Sequence, residues 1–167
     1  LILFKKKMLK KYSFLKNMVV TNWIFDLDYT LYNFDDRQPF SYDKLSYNSE
    51  LVEKLKKLNG RKVLFTNGNL VHTLECIKRM KLQGIFHKVC CRELCGLKPN
   101  LNSFREMIRY SGIKPDEQCI FFEDNIENLE HSKMLGWSTV FLPQEYKYDY
   151  YRERMEQLNG IDYVCEG

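Results

Sequence analysis

Short apolar runs alternate with amphipathic segments along most of this chain. The run at residues 19–25 is rich in β-branched and aromatic residues, which is typical of a buried strand in a parallel sheet. Later runs have the same character. The predicted strands span, in chain order, residues 19–25, 62–65, 86–91, 119–122, 139–142 and 163–165.

The segments between these runs place apolar residues at helical spacing, as with Leu51, Leu55 and Leu58. Asn48 or Ser49 suits a helix start, and Gly112 suits a helix end. The predicted helices span about residues 49–58, 70–82, 99–110, 126–135 and 144–158. Strands that alternate with helices predict an α/β fold with a single Rossmann-like, doubly wound parallel sheet.

Length and charge define one compact domain. A chain of 167 residues is enough for one core, and its apolar runs are far shorter than the ~20 residues that span a bilayer, so we expect no membrane partner. Six lysines and no acid fall within residues 1–17, and the rest carries 20 basic against 22 acidic residues. We therefore expect a basic N-terminal leader at 1–17 and a folded domain at 18–167, without a nucleic-acid-binding surface on the domain.

The chain has six cysteines, most of them in or beside apolar strand or helix patterns. Cys91 and Cys95 have no second Cys or His pair at zinc-site spacing. Buried structural thiols in a reducing compartment are therefore expected, and the predicted location is cytoplasmic.

Polar clusters follow four of the predicted strands. Their members are Asp26 and Asp28 after the first strand, Thr66, Asn67 and Gly68 after the second, Lys98 beyond the third, and Glu123 and Asp124 at the end of the fourth. Carboxyl ends of parallel strands share one sheet edge, where such folds bind ligands. Four acids around one lysine need a divalent cation, and oxygen ligands favour Mg²⁺. A phosphate beside that cation would find donors in Lys98, Thr66 and Asn67, and we expect Gly68 to belong to the same phosphate-binding site.

In this order and at these strand ends the motifs resemble the haloacid dehalogenase superfamily of phosphohydrolases. The motifs are DLDYT at 26–30, FTNG at 65–68, KP at 98–99 and FED at 122–124. Three longer segments are similar to the pyrimidine 5′-nucleotidase branch, namely DLDYTLY at 26–32, FTNGNLVH at 65–72 and FFEDNIEN at 121–128. The resemblance covers roughly residues 19–142.

The resemblance implies a role for each matching residue. Asp26 would attack phosphorus and form an aspartyl phosphate, and Asp28 would protonate the leaving oxygen and then deprotonate the hydrolytic water. Thr66 and Lys98 would bind the transferring phosphoryl oxygens, with Lys98 also keeping Asp26 ionised.

The implied Mg²⁺ ligands are Asp26, Asp124 and the backbone carbonyl of Asp28, with Glu123 as a further ligand, directly or through water. Asn128 either braces this metal loop or lies on the surface. For His72, in the first turn of a predicted helix, a packing or solvent-facing role is favoured over a catalytic one.

Relatives in the nucleotidase branch carry a helical cap domain between the first two motifs. Here residues 30–65 have room for one loop and one helix, so we expect a capless domain. The loop at 32–47 holds aromatic residues that either form a lid or stacking surface or pack on the core. They are Tyr32, Phe34, Phe40 and Tyr42.

The expected function is that of a Mg²⁺-dependent phosphomonoesterase acting on a small phosphorylated substrate, such as a nucleotide 5′-monophosphate. An open site also suits a phosphoprotein or a nucleic-acid end, or calls for a second subunit to cover it. A phosphate-binding module without turnover is the alternative from a different functional class.

Overall fold

A computed structural model describes residues 19–35, 37–144 and 161–165. Within these ranges, six parallel strands form one sheet in the order β3-β2-β1-β4-β5-β6. The strands are β1 (Asn22–Phe25), β2 (Arg61–Phe65), β3 (Lys88–Cys90), β4 (Cys119–Glu123), β5 (Ser138–Phe141) and β6 (Tyr163–Val164). The predicted α/β class and all six strand positions are confirmed, with β1 starting three residues later than expected.

The helices lie between the strands, as predicted. They are α1 (Ser49–Lys57), α2 (Leu70–Arg79), α3 (Arg92–Cys95), α4 (Leu101–Ser111) and α5 (Ile126–Met134). The asparagine before each of α1, α2, α4 and α5 accepts a hydrogen bond from a backbone N–H of the first turn, which fixes the helix start. Asn100 therefore starts α4 at Leu101 rather than at residue 99.

Two differences from the predicted helices have local causes. Helix α2 ends at Arg79 rather than near residue 82, because Lys81 adopts a left-handed backbone with φ 54°. The four-residue α3 was not predicted, since so short a helix has no readable periodicity. Most of the helix predicted at 144–158, and the leader at 1–17, lie outside the described residues.

Each face of the sheet carries its own apolar core. On one face Phe25, Leu64 and Phe122 pack with apolar residues of α1 and α2. On the other face Ile24 and Phe121 pack with apolar residues of α4 and α5. Neighbouring strand residues point to opposite faces, so the continuous apolar runs are the ones that this doubly wound arrangement needs.

The order in which strands are added to the sheet changes side at β1, and this change determines where the site lies. Strand β1 pairs with β2 and β4 on its two sides, and Phe25 lies level with Leu64 and Phe122. The acids Asp26 and Glu123 each follow one residue after that aligned level. Such a switch point leaves a crevice at the carboxyl ends of the strands.

Between β1 and β2 the described residues form a loop, a 3-10 helix (Tyr42–Lys44) and α1. Across the described ranges, no helix is long and apolar enough to cross a membrane. All six cysteines are buried and free of disulfides, which fits the expected structural thiols.

Candidate active site

Lys98 joins two of the predicted acids in the interior of the sheet edge. Its Nζ donates to Asp26 Oδ1 at 2.7 Å, to Glu123 Oε2 at 2.7 Å and to the carbonyl oxygen of Phe65 at 2.8 Å. The Lys98 side chain is 1% exposed. These three bonds use the donor capacity of the ammonium group, so it holds the acids in fixed positions.

Three carboxylates crowd around this point. Ligand oxygens of Asp26, Glu123 and Asp124 lie within 4.8 Å of one another. Burial, followed by repulsion from Glu123, raises the pKa of Asp26 to about 7, although Lys98 opposes the shift. Burial, together with Glu123 and Asp26, raises the pKa of Asp124 to about 9. Lys98 alone does not balance this charge, and an all-oxygen donor set of this kind fits a hard divalent cation such as Mg²⁺.

Glu123 is the most heavily hydrogen-bonded member of the cluster. Its Oε2 accepts from Lys98 and from Asn128 Nδ2 at 3.0 Å, and its Oε1 accepts from the backbone N–H groups of Asp124 and Asn125. Asn128 is buried. The structure therefore places Asn128 as a brace of the acidic loop rather than on the surface.

The FTNG motif shapes the loop that follows β2. Asn67 Oδ1 accepts from the backbone N–H of Lys98 at 2.7 Å, and Asn67 Nδ2 donates to the backbone carbonyl of Lys98 at 3.0 Å. The buried Thr66 hydroxyl accepts from the backbone N–H of Gly68 at 2.9 Å. The Asn67 amide, which we expected to be a phosphate donor, thus clamps the backbone that presents Lys98.

Asp28 lies at the open side of the cluster and has two side-chain partners. Its Oδ1 is 2.7 Å from His72 Nε2 and also accepts from the hydroxyl of Tyr32. Burial alone would raise the pKa of Asp28, but the bonds from His72 and Tyr32 outweigh it and the net shift is downward. The bond to Asp28, then that to Cys76, raises the pKa of His72 to about 11. His72 is therefore a neighbour of a predicted catalytic acid, which the helix pattern did not indicate.

Two residues that the sequence analysis did not assign to the site donate hydrogen bonds to the predicted acids. The buried Thr30 hydroxyl donates to Asp26 Oδ2 at 3.2 Å. Gln144 Nε2 donates to Asp124 Oδ2 at 2.8 Å. Thr30 belongs to the DLDYT motif, so its place could have been read from the motif. Gln144 carried no local signal except that it follows β5, whose carboxyl end lies at the same sheet edge.

The aromatic residues of the 32–47 loop pack on the protein. Tyr32 belongs to the apolar core between the sheet, α1 and α2, and Phe34, Phe40 and Tyr42 pack against that core. Phe40 contacts Phe34 and Tyr42 edge to face, with ring centroids 5.1 and 5.0 Å apart. Of the two expectations for these rings, core packing is the one observed.

Comparison with known proteins assigns this architecture to a family. Residues 41–142, more than half of the chain, match the family model described as haloacid dehalogenase-like hydrolase. Asp26 and Asp28 precede the matched stretch. A glyceraldehyde 3-phosphate phosphatase from Pyrococcus furiosus is 27% identical over 113 residues, which are 66% of this chain and 45% of the relative. The chain thus spans less than half the length of this curated relative.

Solved structures show the same fold. A predicted haloacid dehalogenase-like hydrolase from Porphyromonas gingivalis superposes with a TM-score of 0.62 at 19% identity, covering 85% of this chain and all of that one. An L-2-haloacid dehalogenase from Xanthobacter autotrophicus with covalently bound chloropropionic acid superposes with a TM-score of 0.58 at 17% identity. That match covers 74% of this chain and 58% of the dehalogenase.

Proposed function

The chain belongs to the haloacid dehalogenase-like hydrolases, and from that premise we propose that it is a Mg²⁺-dependent phosphomonoesterase that works through an aspartyl-phosphate intermediate. The observation that carries the proposal is the bond from Lys98 to Asp26 inside a cluster of three carboxylates, with Asp28 two residues away. Phosphoryl transfer depends mainly on positioning and charge neutralisation, and these residues are arranged for both.

The proposed roles follow from which atoms are engaged. Asp26 is the nucleophile, because Lys98 and Thr30 fix its carboxylate and Lys98 favours its ionised form. Asp28 is the acid and base, because its side chain is more exposed than that of Asp26 and its Oδ2 is not engaged by His72 or Tyr32. Thr66 and Lys98 border the space in which the phosphoryl group would sit.

Mg²⁺ would be held by Asp26, Asp124 and the backbone carbonyl of Asp28. When bound, the ion would supply positive charge next to the phosphoryl oxygens. Both oxygens of Glu123 already accept hydrogen bonds, so we assign Glu123 to the ion through water and to the support of Lys98.

A phosphate ester is favoured over a halogenated acid by the presence of Asp28. A halide leaves without a proton, whereas an alkoxide leaving group needs one, and Asp28 is placed to provide it. The match to a glyceraldehyde 3-phosphate phosphatase supports a small phosphate ester, and the motif resemblance supports a nucleotide 5′-monophosphate. The structure describes no cap domain between β1 and β2 that would cover the site. Phosphoproteins and nucleic-acid ends are therefore also candidate substrates.

The test is phosphate release with Mg²⁺ from a panel of esters. The panel holds sugar phosphates, nucleoside 5′-monophosphates, a phosphopeptide, a 3′-phosphorylated oligonucleotide and p-nitrophenyl phosphate. Wild type is compared with Asp26→Asn and with Asp43→Asn, a matched control at an exposed position. We expect turnover in wild type and Asp43→Asn, none in Asp26→Asn, and loss in all cases when EDTA removes the metal.

Mass spectrometry of acid-quenched protein provides the second readout, because a phosphorylated intermediate adds one phosphoryl group to Asp26. Release from no ester above the Asp26→Asn level would reject the phosphatase and favour a phosphate-binding module. Turnover by Asp26→Asn would reject Asp26 as the nucleophile.

A further inference from the structure

The side chain of His72 connects the predicted acid and base to the 32–47 loop. His72 Nε2 lies 2.7 Å from Asp28 Oδ1, and His72 Nδ1 lies 3.0 Å from the hydroxyl of Tyr42. Tyr42 begins the 3-10 helix of that loop. One imidazole ring thus joins three separate parts of the chain, which are the end of β1, the start of α2 and the loop.

The ring is confined on several sides. A Cβ added at Gly68 would come within 2.9 Å of His72 Cδ2, so the ring packs directly on that glycine. Cys76 Sγ lies 3.6 Å from His72 Nε2, and the ring of Phe40 meets the imidazole at 5.5 Å between centroids. Asn69, the cap of α2, accepts from the backbone N–H of His72 at 2.8 Å. The orientation of the ring is therefore fixed by packing as well as by hydrogen bonds.

This arrangement distinguishes the two carboxylate oxygens of Asp28. Oδ1 is paired with both His72 and Tyr32, and a carboxylate oxygen can only accept. Within the described ranges, no side chain or backbone group donates to Oδ2. Oδ2 is therefore the oxygen left for substrate, and its direction is set by the two bonds on Oδ1.

We propose that His72, held by Tyr42, is a positioning residue that orients Asp28 for proton transfer to the leaving group. The proposal rests on the proposed phosphatase function. It also gives the 32–47 loop a function, because that loop supplies both tyrosines that support the pair.

The proton movements determine how the proposal is tested. In the first step an Asp26 oxygen bonds to phosphorus, the bond to the ester oxygen breaks, and the proton on Asp28 Oδ2 goes to the departing oxygen. In the second step water attacks phosphorus, its proton goes to Asp28, and the Asp26–phosphorus bond breaks. A misoriented Asp28 slows the first step only when the leaving oxygen needs a proton.

The experiment compares kcat/KM for two esters that differ in this requirement, with Mg²⁺ present. Glycerol phosphate, an alkyl ester, leaves as an alkoxide that needs a proton, and p-nitrophenyl phosphate leaves as a stable phenolate. For His72→Phe we expect a loss of about 100-fold on the alkyl ester, within the usual range for general acid catalysis, and less than about threefold on the nitrophenyl ester.

Conservative variants and a control complete the design. His72→Gln keeps an N–H near Asp28 and should regain part of the alkyl-ester rate, whereas Tyr42→Phe should lose part of it. Val71→Ala, at an exposed position next to His72, should match wild type on both esters. If His72→Phe fails to fold, His72→Gln and Tyr42→Phe carry the same comparison.

Equal losses on both esters, or no loss on either, would overturn the positioning role while the phosphatase stands. Absence of turnover in wild type on both esters and on the wider panel would instead reject the proposed function, and the positioning role with it.

Discussion

Replacing Lys98 with Met removes the ammonium group that two buried carboxylates and one carbonyl share. The methionine keeps most of the apolar stem but leaves Asp26 and Glu123 without their partner at 2.7 Å. Removing one partner of a buried ion pair costs about 3–5 kcal/mol, because the remaining charge stays desolvated. Two such pairs share this one nitrogen, so we expect a loss at the upper end of that range.

A loss of this size is a large part of the usual stability of a single domain, which is about 5–15 kcal/mol. Urea unfolding in EDTA, followed by the fluorescence of the buried Trp137, measures it directly. Arg109→Met is the matched control, because its ion pair with Glu106 is exposed and should contribute less than about 1 kcal/mol.

A double-mutant cycle tests the cause. Glu123→Gln removes one of the two buried charges that Lys98→Met leaves without a partner. The free energy of unfolding of the double variant should therefore be at least about 1 kcal/mol higher than the sum of the two single changes predicts. A cost of Lys98→Met no greater than that of Arg109→Met, or additive effects of Lys98→Met and Glu123→Gln, would contradict the shared buried ion pair as the cause.

The remaining predictions concern pH, the loop after β2 and the core. In EDTA, the folded chain retains protons on Asp26 and Asp124 that the unfolded chain releases near pH 3.8. The free energy of unfolding should therefore fall as the pH rises from about 4 to 9. The expected slope is about 1.4 kcal/mol per pH unit for each retained proton. Urea titrations at several pH values measure this slope, and saturating Mg²⁺ should flatten it; a rise with pH in EDTA would contradict the raised pKa values. Gly68→Ala should displace His72 and slow alkyl-ester hydrolysis more than nitrophenyl-ester hydrolysis, and unchanged rates would show that the ring moves without effect. Phe104→Ala should cost about 3–5 kcal/mol in the same urea assay, because the ring is fully buried between the sheet and α4, whereas a cost below about 1 kcal/mol would mean that the core refills the space.

Much of the fold could be predicted from the sequence because buried segments have a characteristic pattern of apolar residues. Strands covered on both faces appear as continuous apolar runs, and capping asparagines mark the helix starts. The DLDYT, FTNG and FED motifs likewise lie at the ends of β1, β2 and β4, as expected, and the KP motif follows β3 after the short α3. Parallel pairing requires that strand ends share one edge, so the proximity of Asp26 and Glu123 followed from topology. Lys98 reaches them from beyond α3, where Asn67 holds its backbone.

The hydrogen-bond partners of individual side chains could not be predicted from the sequence. His72 and Asp28 are 44 positions apart, and no periodicity along α2 indicates that its first turn faces the end of β1. Gln144 reaches Asp124 from beyond β5, and Asn67 uses its amide on the backbone of Lys98.

The sequence by itself therefore determined which residues are buried, which strand ends carry acids and which family the motifs resemble. The tertiary structure decided which oxygen of Asp28 is paired, which ring holds it and which amide is already engaged. The physical reason is that local periodicity records how each segment divides between core and solvent, whereas hydrogen bonds between distant segments depend on how the packed elements are oriented.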